Sequence, residues 1–159
     1  MKTYDLLLGG DHRGVNLKND ILNYVSPEHN DNNPTKFDIA LIQNLKPHDD
    51  KKSVDYPDVV KDFAFSFDGY THGILVCGSG FGVCMAANRF KYIRAATCRT
   101  VKEVDMARRH NDINVLCLGA DFTKKKLAFK MVKVFFETKF EGGKHRRRVN
   151  KLGKLCQIQ

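Results

Sequence analysis

The sequence lacks any hydrophobic run long enough to span a membrane. A transmembrane helix needs about 20 consecutive apolar residues, and no run among the 159 residues approaches that length. The amino terminus, Met1-Lys2-Thr3-Tyr4-Asp5, leads straight into an apolar segment and does not have the layout of a signal peptide. We therefore expect a soluble, cytoplasmic protein with no membrane partner.

The five cysteines lack the spacing of a disulfide framework or of a structural zinc site. They are odd in number, and no two of them form a C-x-x-C pair (Cys77, Cys84, Cys98, Cys117 and Cys156). This distribution predicts free thiols in a reducing compartment. Because Cys84, Cys98 and Cys117 lie in apolar runs, we expect those three in the core.

Aromatic side chains are absent from the last part of the chain, residues 141–159. The net charge is +9, and the excess is confined to residues 121–159, which hold 12 Lys/Arg and 3 Asp/Glu, whereas residues 1–120 hold 15 of each. A basic tail is typical of nucleic-acid binding, of solvated helix faces or of an anion-binding element. Nucleic-acid binders interleave cations with stacking aromatics, but residues 141–159 contain no Phe, Tyr or Trp. The composition therefore disfavours a nucleic-acid partner.

Short apolar runs alternate with helix-like stretches, which is typical of parallel βαβ units. The apolar runs predict strands at 4–9, 37–42, 73–77, 94–98 and 114–119. Apolar residues at helical spacing predict helices at about 17–25, 57–67, 80–90, up to 109 and 127–135, and the chain after Lys144 is also expected to be helical. The polar, proline-containing segments 26–36 and 43–55 are expected to be long surface loops.

We expect one domain, residues 1–159, with a basic tail from about residue 142. Its predicted fold is an α/β fold, a Rossmann-like three-layer αβα sandwich with a five-stranded parallel sheet. Ligands bind such sheets at the carboxyl ends of the strands. The sequence places its unusual residues at those ends.

One motif follows the first predicted strand, Gly9-Gly10-Asp11-His12-Arg13-Gly14. Two adjacent titratable residues, Asp11 and His12, would face the ligand crevice there. In the alternative interpretation, Asp11 caps the following helix and His12 is solvated.

A second motif follows the third predicted strand, Cys77-Gly78-Ser79-Gly80-Phe81-Gly82. Its alternating glycines allow backbone N–H groups to approach an oxyanion or a phosphate, and the helix amino terminus adds partial positive charge. The motif matches neither the dinucleotide fingerprint nor the Walker loop. A thiol at such a place, Cys77, can be a thiolate near neutrality, although a buried and inert cysteine is the alternative.

Two further segments combine histidine with basic residues. His110, in Ala107-Arg108-Arg109-His110-Asn111-Asp112, is a candidate acid/base or a carboxyl-terminal helix cap. The segment Gly142-Gly143-Lys144-His145-Arg146-Arg147-Arg148 has the composition of a phosphate clamp, and a solvated charge run is equally compatible with it.

Taken together, these segments resemble ribose-5-phosphate isomerase type B, a family that also includes the galactose-6-phosphate isomerase subunits. The resemblance extends over nearly the whole chain. It rests on six motifs: G-x-D-H-x-G-x-x-L-K (9–18), D-Y-P-D (55–58), C-G-S-G-x-G (77–82), A-A-N (86–88), H-N-D (110–112) and G-G-K-H-x-x-R (142–148). Each motif is short, but their order and spacing along one chain are specific.

The resemblance implies an aldose–ketose isomerase that interconverts ribose 5-phosphate and ribulose 5-phosphate through an enediolate, without a metal or another cofactor. Cys77 matches the base that moves a proton between C1 and C2, and His110 matches the acid/base that opens the sugar ring. The loop that holds the developing oxyanion corresponds to Ser79 and the backbone of Gly78, Gly80 and Gly82. The positions that bind the rest of the sugar phosphate correspond to Asp11, His12, Asn111, Lys144 and Arg148. The family forms homodimers or homotetramers in which two chains share each site.

The chain departs from the family pattern at three places. The region between the first helix and Asp55 is longer than is usual in the family. Lys144 stands where arginine is common, so that an ammonium point charge replaces a guanidinium that can bind phosphate in a bidentate way. Asp121 stands where many relatives place a phosphate-binding arginine. Because a carboxylate repels phosphate, Asp121 either turns away from the site or pairs with a cation of the tail. We expect the second, since Arg146, Arg147 and Arg148 offer more cations than the phosphate requires.

Two other functions stay open at this point. Isomerisation of a six-carbon sugar phosphate, such as galactose 6-phosphate or allose 6-phosphate, uses the same chemistry, so the motifs discriminate poorly between the two. A non-enzymatic nucleic-acid-binding protein that uses the basic tail is the more remote alternative.

Overall fold

Five short strands form one parallel sheet. The computed structural model describes residues 4–26, 37–45 and 52–155. The strands are β1 (Tyr4–Gly10), β2 (Ile39–Asn44), β3 (His72–Cys77), β4 (Ala95–Thr97) and β5 (Val115–Gly119). Their order across the sheet is β2-β1-β3-β5-β4. The central strand β3 is buried along its whole length, which is expected of a parallel strand covered by helices on both faces.

Six helices follow the strands in the order that the periodicity predicts. They are α1 (Val15–Val25), α2 (Tyr56–Ser66), α3 (Phe81–Ala87), α4 (Val101–Asn111), α5 (Lys125–Glu137) and α6 (Gly143–Leu155). Among the described residues, none of these helices combines the length and apolarity that a membrane crossing requires. The elements and their order confirm the predicted α/β fold with a five-stranded parallel sheet.

Two apolar layers sandwich the sheet, because successive side chains of a strand point to opposite faces. Leu6 and Leu8 of β1 pack in one layer with apolar residues of α1, α4 and α5. Leu7 packs in the other layer with residues of α2 and α3, among them Phe63. Helix α6 has no buried residue and lies outside both layers, against α4.

Several element boundaries differ from the predicted ones. Strand β2 lies two residues later than predicted, so that residues 43–44 belong to a strand rather than a loop. Helix α3 ends at Ala87 instead of near residue 90, because the side chain of Asn88 binds the backbone of Ala95 through both its Oδ1 (3.0 Å) and its Nδ2 (2.9 Å). Most of the two predicted loops, at 27–36 and 46–51, lies outside the described residues.

The turn that joins β1 to α1 lies directly across the end of β3. A Cβ atom on Gly14 would stand 2.1 Å from the carbonyl oxygen of Val76, and one on Gly10 would stand 2.6 Å from it. Only glycine permits this approach of one backbone to another. The turn is therefore held at the carboxyl edge of the sheet, beside the end of β3.

We predict that Gly14→Ala lowers stability, since its new methyl group collides with a carbonyl oxygen that cannot move without disturbing β3. Overpacking of this kind costs about 1–3 kcal/mol, measurable as a lower midpoint in urea unfolding. Gly153→Ala is the matched control, because nothing lies within 4 Å of its Cβ position in α6. That variant should unfold at the same or a slightly higher urea concentration. Equal midpoints for both variants would contradict the packing described here.

Candidate active site

The two predicted motifs at the sheet edge are neighbours in space. Gly10 of β1 is paired with Val76 of β3, and the N–H of Asp11 donates to the Val76 carbonyl at 3.2 Å. The turn after β1 and the loop after β3 therefore meet at the carboxyl edge of the sheet. This is where parallel α/β sheets bind their ligands.

Cys77 is the last residue of β3, and its side chain is held by the loop that follows. The residue is 5% exposed, and its Sγ accepts a hydrogen bond from the N–H of Gly80 at 3.0 Å. Gly80 has a φ of 81°, a conformation that favours glycine. Thr97 of β4 donates its hydroxyl to the Gly80 carbonyl at 2.8 Å. The thiol is thus oriented by backbone that is fixed from two sides.

Ser79 and Gly82 complete this loop. The Oγ of Ser79 accepts a hydrogen bond from the N–H of Phe81 at 3.3 Å. The ring of Tyr56 lies against Gly82, where a Cβ atom would stand 2.8 Å from the tyrosine Cζ. Tyr56 is a residue to which the motifs assigned no role, although it belongs to the D-Y-P-D motif. It begins α2 and brings a phenol to the glycine loop.

Asp11 and His12 are both held by hydrogen bonds. The buried Oδ1 of Asp11 accepts from the N–H groups of Arg13 (2.9 Å) and Gly14 (3.1 Å). The N-cap of α1 is Gly14, without a side-chain cap hydrogen bond, so Asp11 holds the turn before the helix and does not cap the helix itself. The half-buried ring of His12 accepts from the N–H of Val54 through Nδ1 at 3.2 Å. A neutral His12 therefore carries its proton on Nε2, where it is a hydrogen-bond donor.

Asp121 is bound by Arg13, and the prediction that it pairs with a cation of the tail is wrong for this chain. The two side chains meet at 2.5 Å, because the turns after β1 and β5 lie at the same edge of the sheet. The guanidinium also lies on Gly78, where a Cβ atom would stand 2.8 Å from Cζ. Exposed ion pairs contribute at most about 1 kcal/mol. The main effect of the ion pair is therefore to hold the Arg13 guanidinium over the glycine loop.

His110 lies in the last turn of α4, which ends one residue later. Asp112 then turns the chain with a φ of 48°, and Arg94 donates to both its carbonyl (2.7 Å) and its carboxylate (3.1 Å). The helix cap is thus Asp112 rather than His110. The imidazole of His110 stacks on that of His145, with ring centroids 4.4 Å apart and an angle of 7° between the planes.

The predicted residues of the second half of the site lie around this histidine pair. A pocket of about 220 Å³ is lined by His110, His145, Asn111 and Arg148, together with two apolar residues of α6. Lys144 is exposed in the first turn of α6. The motif after residue 107 and the basic tail therefore form one cationic surface between α4 and α6.

Within one chain, the structure does not bring Cys77 and His110 together. Helix α4 returns the chain from the carboxyl end of β4 to the amino end of β5, as a parallel connection requires. His110 is in its last turn and thus near the amino edge of the sheet, whereas Cys77 ends β3 at the carboxyl edge. The five-residue strand β5 spans roughly 17 Å between these edges. Each half of the predicted site is therefore incomplete alone.

Comparison with known proteins identifies the family of this chain. The family described as Ribose/Galactose Isomerase matches residues 6–152. The chain belongs to this family. It is 31% identical over 154 residues to the ribose-5-phosphate isomerase B of Escherichia coli K12, with 96% of each chain covered.

Other members of the ribose/galactose isomerase family are equally similar over their length. The crystal structure of ribose-5-phosphate isomerase B from Mycoplasma genitalium with bound ribulose 5-phosphate has a TM-score of 0.85 and 32% identity, covering 100% of this chain and 99% of that one. The D-erythrulose-4-phosphate isomerase of Pectobacterium atrosepticum is 30% identical, with 93% of this chain and 92% of that protein covered.

In this member of the ribose/galactose isomerase family, a second thiol near the site has unusual surroundings. Cys98 and Cys117 are buried as expected, and Cys84 is half-buried and packs against the core layer that contains Leu7 and Phe63. A hydrogen bond from the Cys117 thiol, the largest effect, lowers the pKa of Cys84 to about 6 against the opposing desolvation, with help from Thr97 and Asn88. Burial raises the pKa of Cys117 well above its usual range.

We predict that Cys84 reacts with iodoacetamide at neutral pH. A thiol with a pKa of about 6 is mostly thiolate at pH 7.5 and mostly protonated at pH 5, so its labelling rate should fall about tenfold between them. Peptide mass spectrometry measures the rate at each cysteine separately. Cys117 is the internal control and should stay unlabelled at both pH values. An inflection above pH 8 for Cys84 would refute the predicted environment.

Proposed function

We propose that this protein interconverts D-ribose 5-phosphate and D-ribulose 5-phosphate through an enediolate, without a metal or cofactor, in the cytoplasm. The observation that carries the proposal is the position of Cys77, which ends the central strand with its Sγ oriented by the Gly80 N–H. Asp11 and His12 lie at the same edge of the sheet, where a sugar would bind. The four described cysteines are free, as in a reducing compartment.

The reaction requires a base for a carbon acid and donors for the oxyanion that forms beside it. The Cys77 thiolate removes the proton from C2 of the open-chain aldose, and the resulting thiol returns a proton to C1. Because the Gly80 N–H already donates to the sulfur, it positions the base. Ser79 and the remaining N–H groups of the loop then donate hydrogen bonds to the developing oxyanion. A donor of this kind contributes about 10²–10³-fold in rate.

The surface between α4 and α6 supplies the other half of the proposed site, which opens the sugar ring and binds the phosphate. His110 exchanges protons with the ring oxygen and the C1 hydroxyl, which opens the sugar. Lys144 and Arg148 hold the phosphate at a distance from the reacting carbons, with Asn111 beside them. Binding energy from this remote group orients the substrate for proton transfer.

A second chain completes the site in this proposal. Acid/base groups act within hydrogen-bond reach of the proton that they move, whereas one chain separates Cys77 from His110 by about the length of a strand. A homodimer, alone or within a homotetramer, places His110 of one chain opposite Cys77 of the other. Two equivalent sites follow from the two-fold symmetry.

The six-carbon alternative differs only in the sugar. Galactose 6-phosphate or allose 6-phosphate would undergo the same proton transfer, and the related Pectobacterium protein is named for a four-carbon substrate. We expect the highest kcat/KM on ribose 5-phosphate when it is compared with galactose 6-phosphate, allose 6-phosphate and D-erythrulose 4-phosphate. A higher value for any of the others would replace ribose 5-phosphate as the proposed substrate.

We predict that Cys77→Ala loses isomerase activity by about 10²–10⁴-fold, the usual contribution of a positioned base. A coupled assay on ribose 5-phosphate measures kcat, and exchange of the C2 proton with solvent tests the proton-transfer step directly. Cys84→Ser is the matched control. It removes the thiol with the lowered pKa, which has no role in the proposed reaction, so this variant should keep most of the activity. The wild-type rate should not change with EDTA. A Cys77→Ala enzyme that keeps a tenth of kcat would exclude Cys77 as the base.

We predict that mixing Cys77→Ala and His110→Ala chains restores activity. Random exchange makes half of the dimers mixed, and each mixed two-fold dimer has one intact site, so about a quarter of the wild-type activity should return. In the control, Cys77→Ala chains are mixed with the double variant Cys77→Ala/His110→Ala, and nothing should return. If the first mixture also stays inactive after subunit exchange, sites shared between chains are ruled out.

A further inference from the structure

Three potential metal ligands converge where α4 ends and α6 begins. The Nε2 atoms of His145 and His110 lie 3.5 Å and 3.8 Å from Oε2 of Glu141. One ligand atom from each residue can be chosen so that all three lie within 4.8 Å of one another. Glu141 has no place in the motifs, and the proposed reaction does not use it.

The backbone brings these side chains together. Glu141 donates its N–H to the Arg109 carbonyl at 3.0 Å, one residue before His110. Gly142 and Gly143 then turn the chain with φ values of 70° and 53°. His145 therefore lies in the first turn of α6, four residues after Glu141, with its ring stacked on that of His110 of α4.

The Glu141 carboxylate is already oriented for this role. Arg109 donates to its Oε1 through Nε at 2.7 Å and also through Nη2. Its Oε2 is the atom that faces the two imidazoles. A ligand held by a hydrogen bond to its other atom is typical of metal sites in proteins.

We propose that His110, Glu141 and His145 form a binding site for a divalent transition-metal ion, with Zn²⁺ as its simplest occupant. Two imidazoles and one carboxylate suit zinc, cobalt or nickel, whereas magnesium and calcium prefer oxygen ligands alone. A tetrahedral ion with bonds of about 2.0–2.1 Å needs ligand atoms roughly 3.3 Å apart. The two separations between imidazole and carboxylate, 3.5 Å and 3.8 Å, are close to that value, and all three ligand atoms lie within 4.8 Å of one another.

A metal binds neutral imidazole and ionised carboxylate. The side chain of His145 is 13% exposed, and Arg148 lines the same pocket as the two histidines. Repulsion between this guanidinium and a metal ion limits the affinity, so the ion should bind reversibly.

The functional consequence rests on the proposed role of His110. The Nε2 lone pair that would bind the ion is the one that would exchange protons with the sugar ring. Zinc at this site is therefore an inhibitor of an isomerase that itself needs no metal. The binding of the ion depends on the geometry alone.

Titration of the full-length protein with Zn²⁺, followed with a competing chromophoric chelator, tests the site directly. We expect one ion per chain at this site. Glu141→Gln keeps the shape of the side chain, and both it and His145→Ala should weaken binding by at least about tenfold, since loss of an outer-shell partner already costs about 10–100-fold. Glu137→Gln, an exposed carboxylate at the end of α5, is the matched control and should bind as the wild type does. Wild-type affinity in either ligand variant would overturn the proposal.

Cobalt distinguishes this site from binding to the thiols. Co²⁺ held by nitrogen and oxygen gives weak visible bands only, whereas a thiolate ligand adds an intense charge-transfer band in the near ultraviolet. We expect no such band at one equivalent. Its presence would place the ion on cysteine and refute the site.

Inhibition is measured separately. Zn²⁺ should inhibit the wild-type isomerase, and EDTA should restore its activity. Glu141→Gln should need at least about tenfold more Zn²⁺ for half-inhibition, in proportion to its weaker affinity. Equal inhibition of both enzymes would overturn the inhibitory site. If Zn²⁺ binds to the three ligands without inhibiting, the proposed role of His110 fails while the metal site stands.

Discussion

Backbone packs on backbone at the carboxyl edge of the sheet, with no side chain between. Gly10 and Gly14 lie on the Val76 carbonyl, and Gly119 lies on the backbone of Ser79. These contacts lock three turns, after β1, β3 and β5, into one rigid unit. The polar groups that the turns carry are thereby oriented by main chain rather than by flexible side chains. The proposed chemistry at this edge depends on that constraint, because misplacement of a reacting group by about 1 Å can cost 10²-fold in rate.

The two halves of the proposed site are built in different ways. The half around Cys77 is buried and consists of strand ends and glycine turns, which suits a base and an oxyanion that must exclude water. The half around His110 lies on two helix ends and is exposed and cationic, which suits capture of a charged substrate from solution. Because the sheet separates them within one chain, it is the proposed dimer that would bring the rigid half and the cationic half together.

Most of the fold could be predicted from the sequence because parallel strands are buried on both faces and therefore appear as continuous apolar runs. The end of α3 could not, since it depends on hydrogen bonds between Asn88 and a strand that follows later. The partner of Asp121 is Arg13, 108 residues away, and no local pattern indicates such a contact. Cys84 lies in an apolar run, but its lowered pKa depends first on a hydrogen bond from Cys117, which only the fold brings beside it. The sequence could identify the chemistry of single motifs but not which motifs one chain brings together.

Helix α6 has no buried side chain, and this makes it the least firmly held of the six helices. A segment with few buried apolar contacts opens locally at a small fraction of the global unfolding free energy. The cations of this helix that are proposed to bind phosphate would therefore be lost by fraying of one element while the sheet and Cys77 stay intact. Backbone amides of α6 should exchange with deuterated solvent far sooner than those of β3. Anything that covers the exposed Leu152 and Leu155 would slow that exchange and, with it, the release of a bound anion.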